Sequence, residues 1–316
     1  METMELGRTG LVVPKLGVGV MIWGDASQLK GFNPAKQAYG GTDSADEEKK
    51  AFDISLLAGV NFFDTAEMYS RGASEKRLGE LSQGHKVFLA SKFPGKMFAK
   101  TEDFPGMLEG TLSRLGVKTV DLMQHHFPFP RVNIPKLMNL MADAVEAGKV
   151  RAIGVSNYSA PQIREAHGVL AKRGIPLASV QNQYSLLYRK PEVDGVLESC
   201  QELGITLIAY QPLASGLLTG KYSLTNRPQG LRKWMGPFSK KNLLSVEPVM
   251  ALLRKLGEKY GKNTSQIALR WLMEQPNILP IPGVKNSRQA RDNAGALGFQ
   301  LSREDMQALN EATFGL

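Results

Sequence analysis

In the segment NFFDTAEMYS, Asn61 to Ser70, two aromatic residues lead into Asp64, and Tyr69 follows five residues later, just ahead of Arg71 and Gly72 in a turn. Two further segments end on groups that complement this acid and phenol. The apolar run from Val87 closes on Lys92, and the run from Val120 closes on His125 and His126. Together these residues suit carbonyl reduction, in which an acid protonates the oxygen as hydride reaches the carbon. A free tyrosine, with a pKa of about 10, is a weak acid near neutrality. A Lys92 ammonium beside Tyr69 is expected to lower that value, Asp64 to keep the ammonium charged and oriented, and a histidine to hydrogen-bond the substrate oxygen. Taken singly, each residue has an ordinary explanation as a helix cap, a packed aromatic, a surface charge or a hydrogen bond in the wall. Their convergence is what points to chemistry. A lyase using Lys92 as a Schiff base is a second use of the amine. A glycosidase needs paired carboxylates, which these segment ends do not supply.

Convergence requires a fold that brings successive segment ends to one place. Short apolar runs recur at Leu16 to Met21, Val60 to Asp64, Val87 to Lys92, Val120 to His126, Val150 to Ser156, Ala178 to Gln183, Ile205 to Tyr210 and Ile278 to Pro282. Segments of helical periodicity separate them, several closing on glycine. This alternation predicts a (β/α)8 TIM barrel, whose active site lies at the C-terminal ends of the strands. No run leads into GxGxxG, the fingerprint of a doubly wound dinucleotide fold. Glu5 to Pro14, with Gly7 and Gly10, reads as an N-terminal hairpin. Ala214 to Asn242 reads as a long loop over the C-terminal face, with helices then expected over Pro248 to Gly257 and Ser265 to Glu274. The strand ends present Asp64 and Tyr69, then Lys92, the two histidines, Ser156-Asn157, Gln181 and Tyr210.

Bulk properties agree with one such domain over residues 1–316. Hydrophobic residues are 42% and charged residues 22%, ordinary for a chain that buries a large core. The net charge of +9, from 39 basic against 30 acidic residues, admits an anionic partner. The basic residues are scattered, without the stripe or aromatic motif of a nucleic-acid binder. The single cysteine, Cys200, lies in a helical segment and reads as a packed thiol. No run reaches the roughly 20 apolar residues of a membrane span, and the first residues lack a signal-peptide pattern. The expected compartment is the cytoplasm, with a plastid or other organelle as the alternative for a chain whose leader has been removed.

The ordered motifs NFFDTAEMY with SEKRLGE, ASK, DLMQHHFP, GKVRAIGVSNYS, VQNQYSLL, IAYQPLASGLLTGKY and IPGVKNSRQARDN resemble the aldo-keto reductase superfamily along nearly the whole chain. The resemblance implies a barrel binding NADPH, with no catalytic metal, that acts on a small carbonyl compound. By position it implies a catalytic tetrad of Asp64, Tyr69, Lys92 and His126. Ser156, Asn157 and Gln181 would hold the nicotinamide carboxamide, Tyr210 would stack on its ring, and Leu213, Ser215 and Leu217 would lie over the diphosphate. His126 rather than His125 matches the family pattern, and strand alternation lets only one of them face the mouth. Phe127 stands where tryptophan is common. Trp23 and Phe127 are expected to line the substrate pocket, with Met97, Phe98 and Trp234 as further candidates. Lys285, Arg288 and Arg291 gather at a helix expected to begin near Asn286 or Ser287, where a bound phosphate would reconcile cations with the helix dipole. The resemblance places Lys285, Asn286, Gln289 and Asn293 around the adenosine end. A noncatalytic cofactor-binding subunit, like channel-associated members of the superfamily, is the alternative to an enzyme.

Overall fold

The computed structural model describes residues 2–24, 40–93, 100–130, 132–228 and 230–315. β1 (Thr3–Glu5) and β2 (Val12–Pro14) form the expected antiparallel hairpin. Eight parallel strands follow: β3 (Val18–Gly19), β4 (Phe62–Asp64), β5 (Phe88–Phe93), β6 (Val120–His125), β7 (Val150–Ser156), β8 (Leu177–Gln183), β9 (Thr206–Tyr210) and β10 (Ile278–Pro280). They lie side by side in chain order. The ends of the sheet meet, because the amides of Gly17 and Gly19 donate to the carbonyls of Pro280 and Pro282, each at 3.0 Å. Gly19 and Gly283 also form a parallel bridge.

Side-chain alternation divides each strand between two environments. Phe62, Phe88, Ala90, Leu122, Ala152, Ala178, Ile208 and Leu279 form one apolar cluster inside the barrel. Residues of opposite parity, including Phe63, Leu89, Met123, Ile153 and Leu207, join the larger core between sheet and helices. Leu6 and Val13 of the hairpin pack into the inner cluster. The amide of Gly7 donates to Thr206 Oγ1 at 2.8 Å. A side chain at Gly7, which has φ +61°, would meet the Ala178 carbonyl oxygen at 2.6 Å. Ala178 and Thr206 stand at the starts of their strands, so the hairpin plugs the N-terminal end of the barrel. The polar residues stand at the other end.

Two expectations about the long loop are corrected. Residues 214–238 contain three 3-10 turns, at Ala214–Thr219, Gly230–Trp234 and Gly236–Phe238. The helix expected from Pro248 instead runs over Lys240–Tyr260. Ser239 starts it by accepting a hydrogen bond from the Asn242 amide, and Leu243, Val246, Val249, Met250, Leu253 and Leu256 are buried along it. That apolar face and the cap carry the helix through Pro248, which lacks the amide needed for one internal hydrogen bond. The helix expected near Asn286 spans Ser287–Ala294, with Asn286 as its cap.

The plug sets a first test. Leu6→Ala should destabilise the fold by about 2–5 kcal/mol, the usual cost of truncating a fully buried leucine, while leaving ligand binding at the opposite end nearly unchanged. Urea unfolding beside cofactor titration would check both. A neutral effect on stability would mean that the hairpin contributes little to the barrel core.

Candidate active site

Asp64 ends β4 with its side chain inside the barrel, and Lys92 is its counterpart on β5. Both are almost wholly buried. Lys92 Nζ donates to Asp64 Oδ1 at 2.5 Å, to the Thr65 carbonyl at 2.7 Å and to Tyr69 Oη at 3.3 Å. An ammonium has three hydrogens and no acceptor, so these contacts occupy it fully. They also fix the polarity of the phenol: its oxygen accepts from Lys92, which leaves its own hydrogen to be directed elsewhere.

Backbone strain accompanies Tyr69. It opens a 3-10 turn in which Ser70 and Arg71 both adopt left-handed conformations, at φ 48° and 54°. Such conformations cost non-glycine residues roughly 1–3 kcal/mol each and persist where surrounding structure enforces them. Gly72, at φ +89°, finishes the turn; a side chain there would collide with Arg114 Cδ at 2.6 Å.

The two histidines separate as alternation requires. His126 forms an edge contact with the Tyr69 ring, with centroids 5.9 Å apart, and stacks on Phe127 at 4.3 Å. His125 lies fully buried on the outer side, where its Nδ1 pairs with the Tyr158 hydroxyl. Burial lowers His125 to about 3. Burial, then the charges of Lys92 and His125, holds His126 well below its ordinary value. Both imidazoles are therefore neutral at physiological pH.

The phenol departs from expectation in sign. Burial pushes Tyr69 above its ordinary value, and the opposing pull of Lys92 does not overcome it; Asp64 adds to the rise. Burial disfavours the Lys92 ammonium, but Asp64 and Tyr69 outweigh it and hold Lys92 above its usual value. The arrangement thus stores a protonated phenol beside a permanent cation.

On the next strands Ser156 Oγ donates to the Gln181 carbonyl at 2.7 Å. Asn157, in a left-handed conformation at φ 59°, donates to the His126 carbonyl at 3.0 Å and accepts from Tyr210 Oη at 2.9 Å. Gln181 Nε2 donates to Asp64 Oδ2 at 2.9 Å, and so does Gln124 Nε2 at 3.2 Å. Gln124 escaped the sequence reading. Its signal was present in DLMQHHFP, because Gln124 and His126 share strand parity and must face the same interior.

Farther out, Leu213, Ser215 and Leu217 lie at the Ala214–Thr219 turn, where Ala214 and Ser215 have φ of 48° and 56°. Leu217 is buried with Phe238 and Leu243, so its side chain anchors the turn. Arg232 donates to the Ser215 carbonyl and, at 3.1 Å, to Tyr222 Oη, with its guanidinium over the Tyr222 and Phe238 rings. Burial lowers the Lys285 pKa, as do the charges of Arg232 and Lys221, while Asp43 opposes the fall. Lys221 and Arg232, which sequence periodicity does not single out, therefore join Lys285 in one field of positive charge.

Arg288 and Arg291 are exposed on the Ser287–Ala294 helix and do not share that enclosure. The helix start is already partnered. Ser287 N donates to Glu47 Oε2 at 2.9 Å, and Asn286 Nδ2 to Asp43 Oδ2 at 2.8 Å. Asn286 Oδ1 accepts from Gln289 N, and Gln289 Oε1 from Lys285 N. Carboxylates thus meet the helix dipole, which removes the need for a bound anion to reconcile the cations. Asn293 is buried, and its Nδ2 has no hydrogen-bond partner among the described residues.

The pocket candidates divide. Phe127 is half-buried beside His126 and near Phe129, with ring centroids 5.4 Å apart. Trp23, expected at the pocket, is fully enclosed; its ring tilts against Phe63 and its Nε1 donates to the Val284 carbonyl at 2.8 Å. Packing and that hydrogen bond draw the indole into the core, so it presents no surface to the mouth. Trp234 is 82% exposed. Met97 and Phe98 lie outside the described residues. Cys200 is buried, and burial raises its thiol to about 12. No helix among the described residues is long and apolar enough to cross a membrane.

A buried lysine–carboxylate pair, a phenol and a neutral imidazole thus stand together at the C-terminal mouth of a parallel eight-stranded barrel. The Aldo/keto reductase family model matches residues 15–313, and the chain belongs to that family. It is 35% identical to the chloroplastic pyridoxal reductase of Arabidopsis thaliana over 96% of this chain and 84% of that one. It is 31% identical to the aldo-keto reductase yakc [NADP(+)] of Schizosaccharomyces pombe, over 95% of this chain and 88% of that one. Among solved structures, the glycerol dehydrogenase of Gluconobacter oxydans superposes with a TM-score of 0.84 at 26% identity, covering 98% and 94% of the two chains. The protein is an oxidoreductase of a family whose members generally carry out NADP-dependent carbonyl reduction.

The neutral histidines give a pH prediction. In an unfolded chain each titrates near 6.5, whereas both are depressed in the fold. Between these values the unfolded state binds more protons, so their contribution to stability is full above about 6.5 and is lost as pH falls. The melting temperature should fall as pH drops from about 6.5 toward 5, a window between the ordinary histidine value and the depressed His125 value of about 3, and His125→Gln should flatten that fall. Parallel curves for variant and parent would show that His125 does not titrate as a neutral buried group.

Proposed function

We propose that this chain catalyses the NADPH-dependent reduction of an aldehyde or ketone to an alcohol, with Tyr69 delivering the proton. The observation that carries this reading is the buried Lys92 ammonium joined at once to Asp64 and Tyr69. NADPH supplies the hydride when bound. Tyr69 donates its hydrogen to the substrate oxygen, and the phenolate charge left behind falls next to Lys92. Asp64 keeps that ammonium charged and stationary, so charge developing at Tyr69 meets a preorganised cation in a dry site. Neutral His126, adjacent to Tyr69, orients the carbonyl through an N–H, while Phe127 offers it an apolar wall.

The donor set suits the cofactor. Ser156, Asn157 and Gln181 would hold the carboxamide and Tyr210 would support the ring. The left-handed turn bearing Leu213, Ser215 and Leu217 would follow the diphosphate. Lys285, with Asn286, Gln289 and Asn293, would bind the adenosine end. The buried, unpartnered Nδ2 of Asn293 and the positive field of Lys285, Lys221 and Arg232 support this assignment. The similarity to pyridoxal reductase makes pyridoxal a first member of the aldehyde panel to be tried.

Tyr69→Phe should lower single-turnover reduction by about 100-fold to 10,000-fold, the range for a positioned acid, with cofactor affinity almost unchanged. A rate close to the parent's would remove Tyr69 from the acid role. His126→Ala should impair reduction more than His125→Ala in folded proteins; the reverse ranking would contradict the assignment. Lys285→Met should weaken binding of NADPH while sparing NADH, since only NADPH carries the additional phosphate. Equal losses would point to a general electrostatic effect.

A further inference from the structure

We infer that Gln124 is a positioning residue for the Asp64–Lys92 pair. It stands on β6, fully buried, in register with Lys92 on one side and Gly154 on the other. Its Nε2 donates to Asp64 Oδ2 at 3.2 Å, and Gln181 Nε2 reaches the same oxygen at 2.9 Å. Gln124 Oε1 lies 3.4 Å from both Gln181 Nε2 and Ser179 Oγ, so the oxygen end of this amide faces donors and the nitrogen end faces the carboxylate. Room for the side chain comes from a glycine. A Cβ at Gly154 would lie 2.3 Å from Ser179 Oγ and 2.9 Å from Gln124 Cγ.

Two amides on one carboxylate oxygen have different obligations. This argument rests on the proposed function, in which Gln181 holds the nicotinamide carboxamide. Gln181 then divides its amide between the cofactor and Asp64, whereas Gln124, which meets no cofactor in this reading, is the dedicated side-chain donor to Oδ2. Asp64 then keeps its orientation toward Lys92 during turnover, and Lys92 keeps its place against Tyr69. Gln124 touches neither substrate nor hydride. Its effect passes through Asp64.

The test uses Gln124→Leu and Gln124→Glu in the full-length protein, with NADPH and an aldehyde that the parent reduces. Gln124→Leu removes the donor while retaining an apolar side chain of similar reach. Single-turnover reduction should fall by about 10-fold to 100-fold, the scale of a misplaced catalytic group, with NADPH affinity within about twofold of the parent. Gln124→Glu supplies the specific signature. A protonated glutamic acid donates to Asp64 as the amide does, but an ionised one opposes it. The titratable groups facing position 124 are Asp64 from β4, Lys92 from β5 and His126 two residues along its own strand. β7 and β8 present Gly154, Ser179 and Gln181, which do not titrate. Burial and Asp64 raise the pKa of the introduced acid, against the opposing pull of Lys92, whose charge is already engaged by Asp64. The variant's rate relative to the parent should therefore approach one at low pH and decline as pH rises.

A constant ratio across pH, or a loss confined to NADPH affinity, would overturn the positioning role. If Gln124→Leu fails to fold, the pH series of Gln124→Glu carries the decision. Tyr69→Phe separates the two levels of argument. Parent-like reduction by Tyr69→Phe would remove the proposed function and this inference with it, whereas a severe loss in Tyr69→Phe with a flat Gln124→Glu ratio would remove the Gln124 role alone.

Discussion

A charged amine inside a barrel is the constraint on which the rest of the site depends. Isolated burial of an ammonium is strongly unfavourable, and removing one partner of a buried ion pair typically costs about 3–5 kcal/mol. Lys92 is retained because its three hydrogens meet Asp64, the Thr65 carbonyl and Tyr69. Each contact fixes something else. Asp64 must stay where two glutamines can reach its second oxygen, and the chain after β4 must bend back to bring Thr65 and Tyr69 to the amine. The left-handed Ser70 and Arg71 follow directly, where the chain turns from Tyr69 into the helix that starts at Ala73.

Layering makes the constraint affordable. The lower barrel interior is an apolar plug of phenylalanine, alanine, leucine and isoleucine, closed beneath by the N-terminal hairpin. The polar groups stand one step higher on the same strand faces: Asp64 above Phe62, Lys92 above Ala90, Gln124 above Leu122. Water is displaced below and hydrogen bonds are made above. The dry surroundings penalise a phenolate more than Lys92 favours it, and Asp64 adds to the penalty, so burial rather than the nearby cation sets the sign for Tyr69. In the proposed reaction a raised phenol would keep its proton until substrate arrives, and the cation beside it would stabilise the charge that departure of the proton creates.

Much of this was legible in the sequence because strand parity is a strict rule. All eight barrel strands were expected within a few residues, and the same parity separated His126 from His125. Gln124 obeys that rule as plainly as His126 does, but an amide has no titration to mark it as functional. The loop residues were a different matter. Lys221, just past the Ala214–Thr219 turn, and Arg232, within the Gly230–Trp234 turn, approach Lys285 from segments that have no periodic sequence signal, and the early start of the Lys240–Tyr260 helix depends on Ser239 and an apolar face overruling Pro248. Trp23 has the composition of a pocket residue but is held in the core by Phe63 and the Val284 carbonyl. The sign of the Tyr69 shift required the degree of burial, which spacing along the chain does not encode.

In the proposed reaction Asp64 acts through Lys92, and a double-mutant cycle on the hydride-transfer rate separates that single route from two independent ones. Single-turnover reduction would be measured for Asp64→Asn, Lys92→Met and the double variant, with cofactor saturating in each. Because both substitutions interrupt the same link to Tyr69, the account predicts strong non-additivity, with the double variant no slower than the worse single one. Losses that multiply independently would contradict it, and would mean that Asp64 and Lys92 serve the reaction by separate routes.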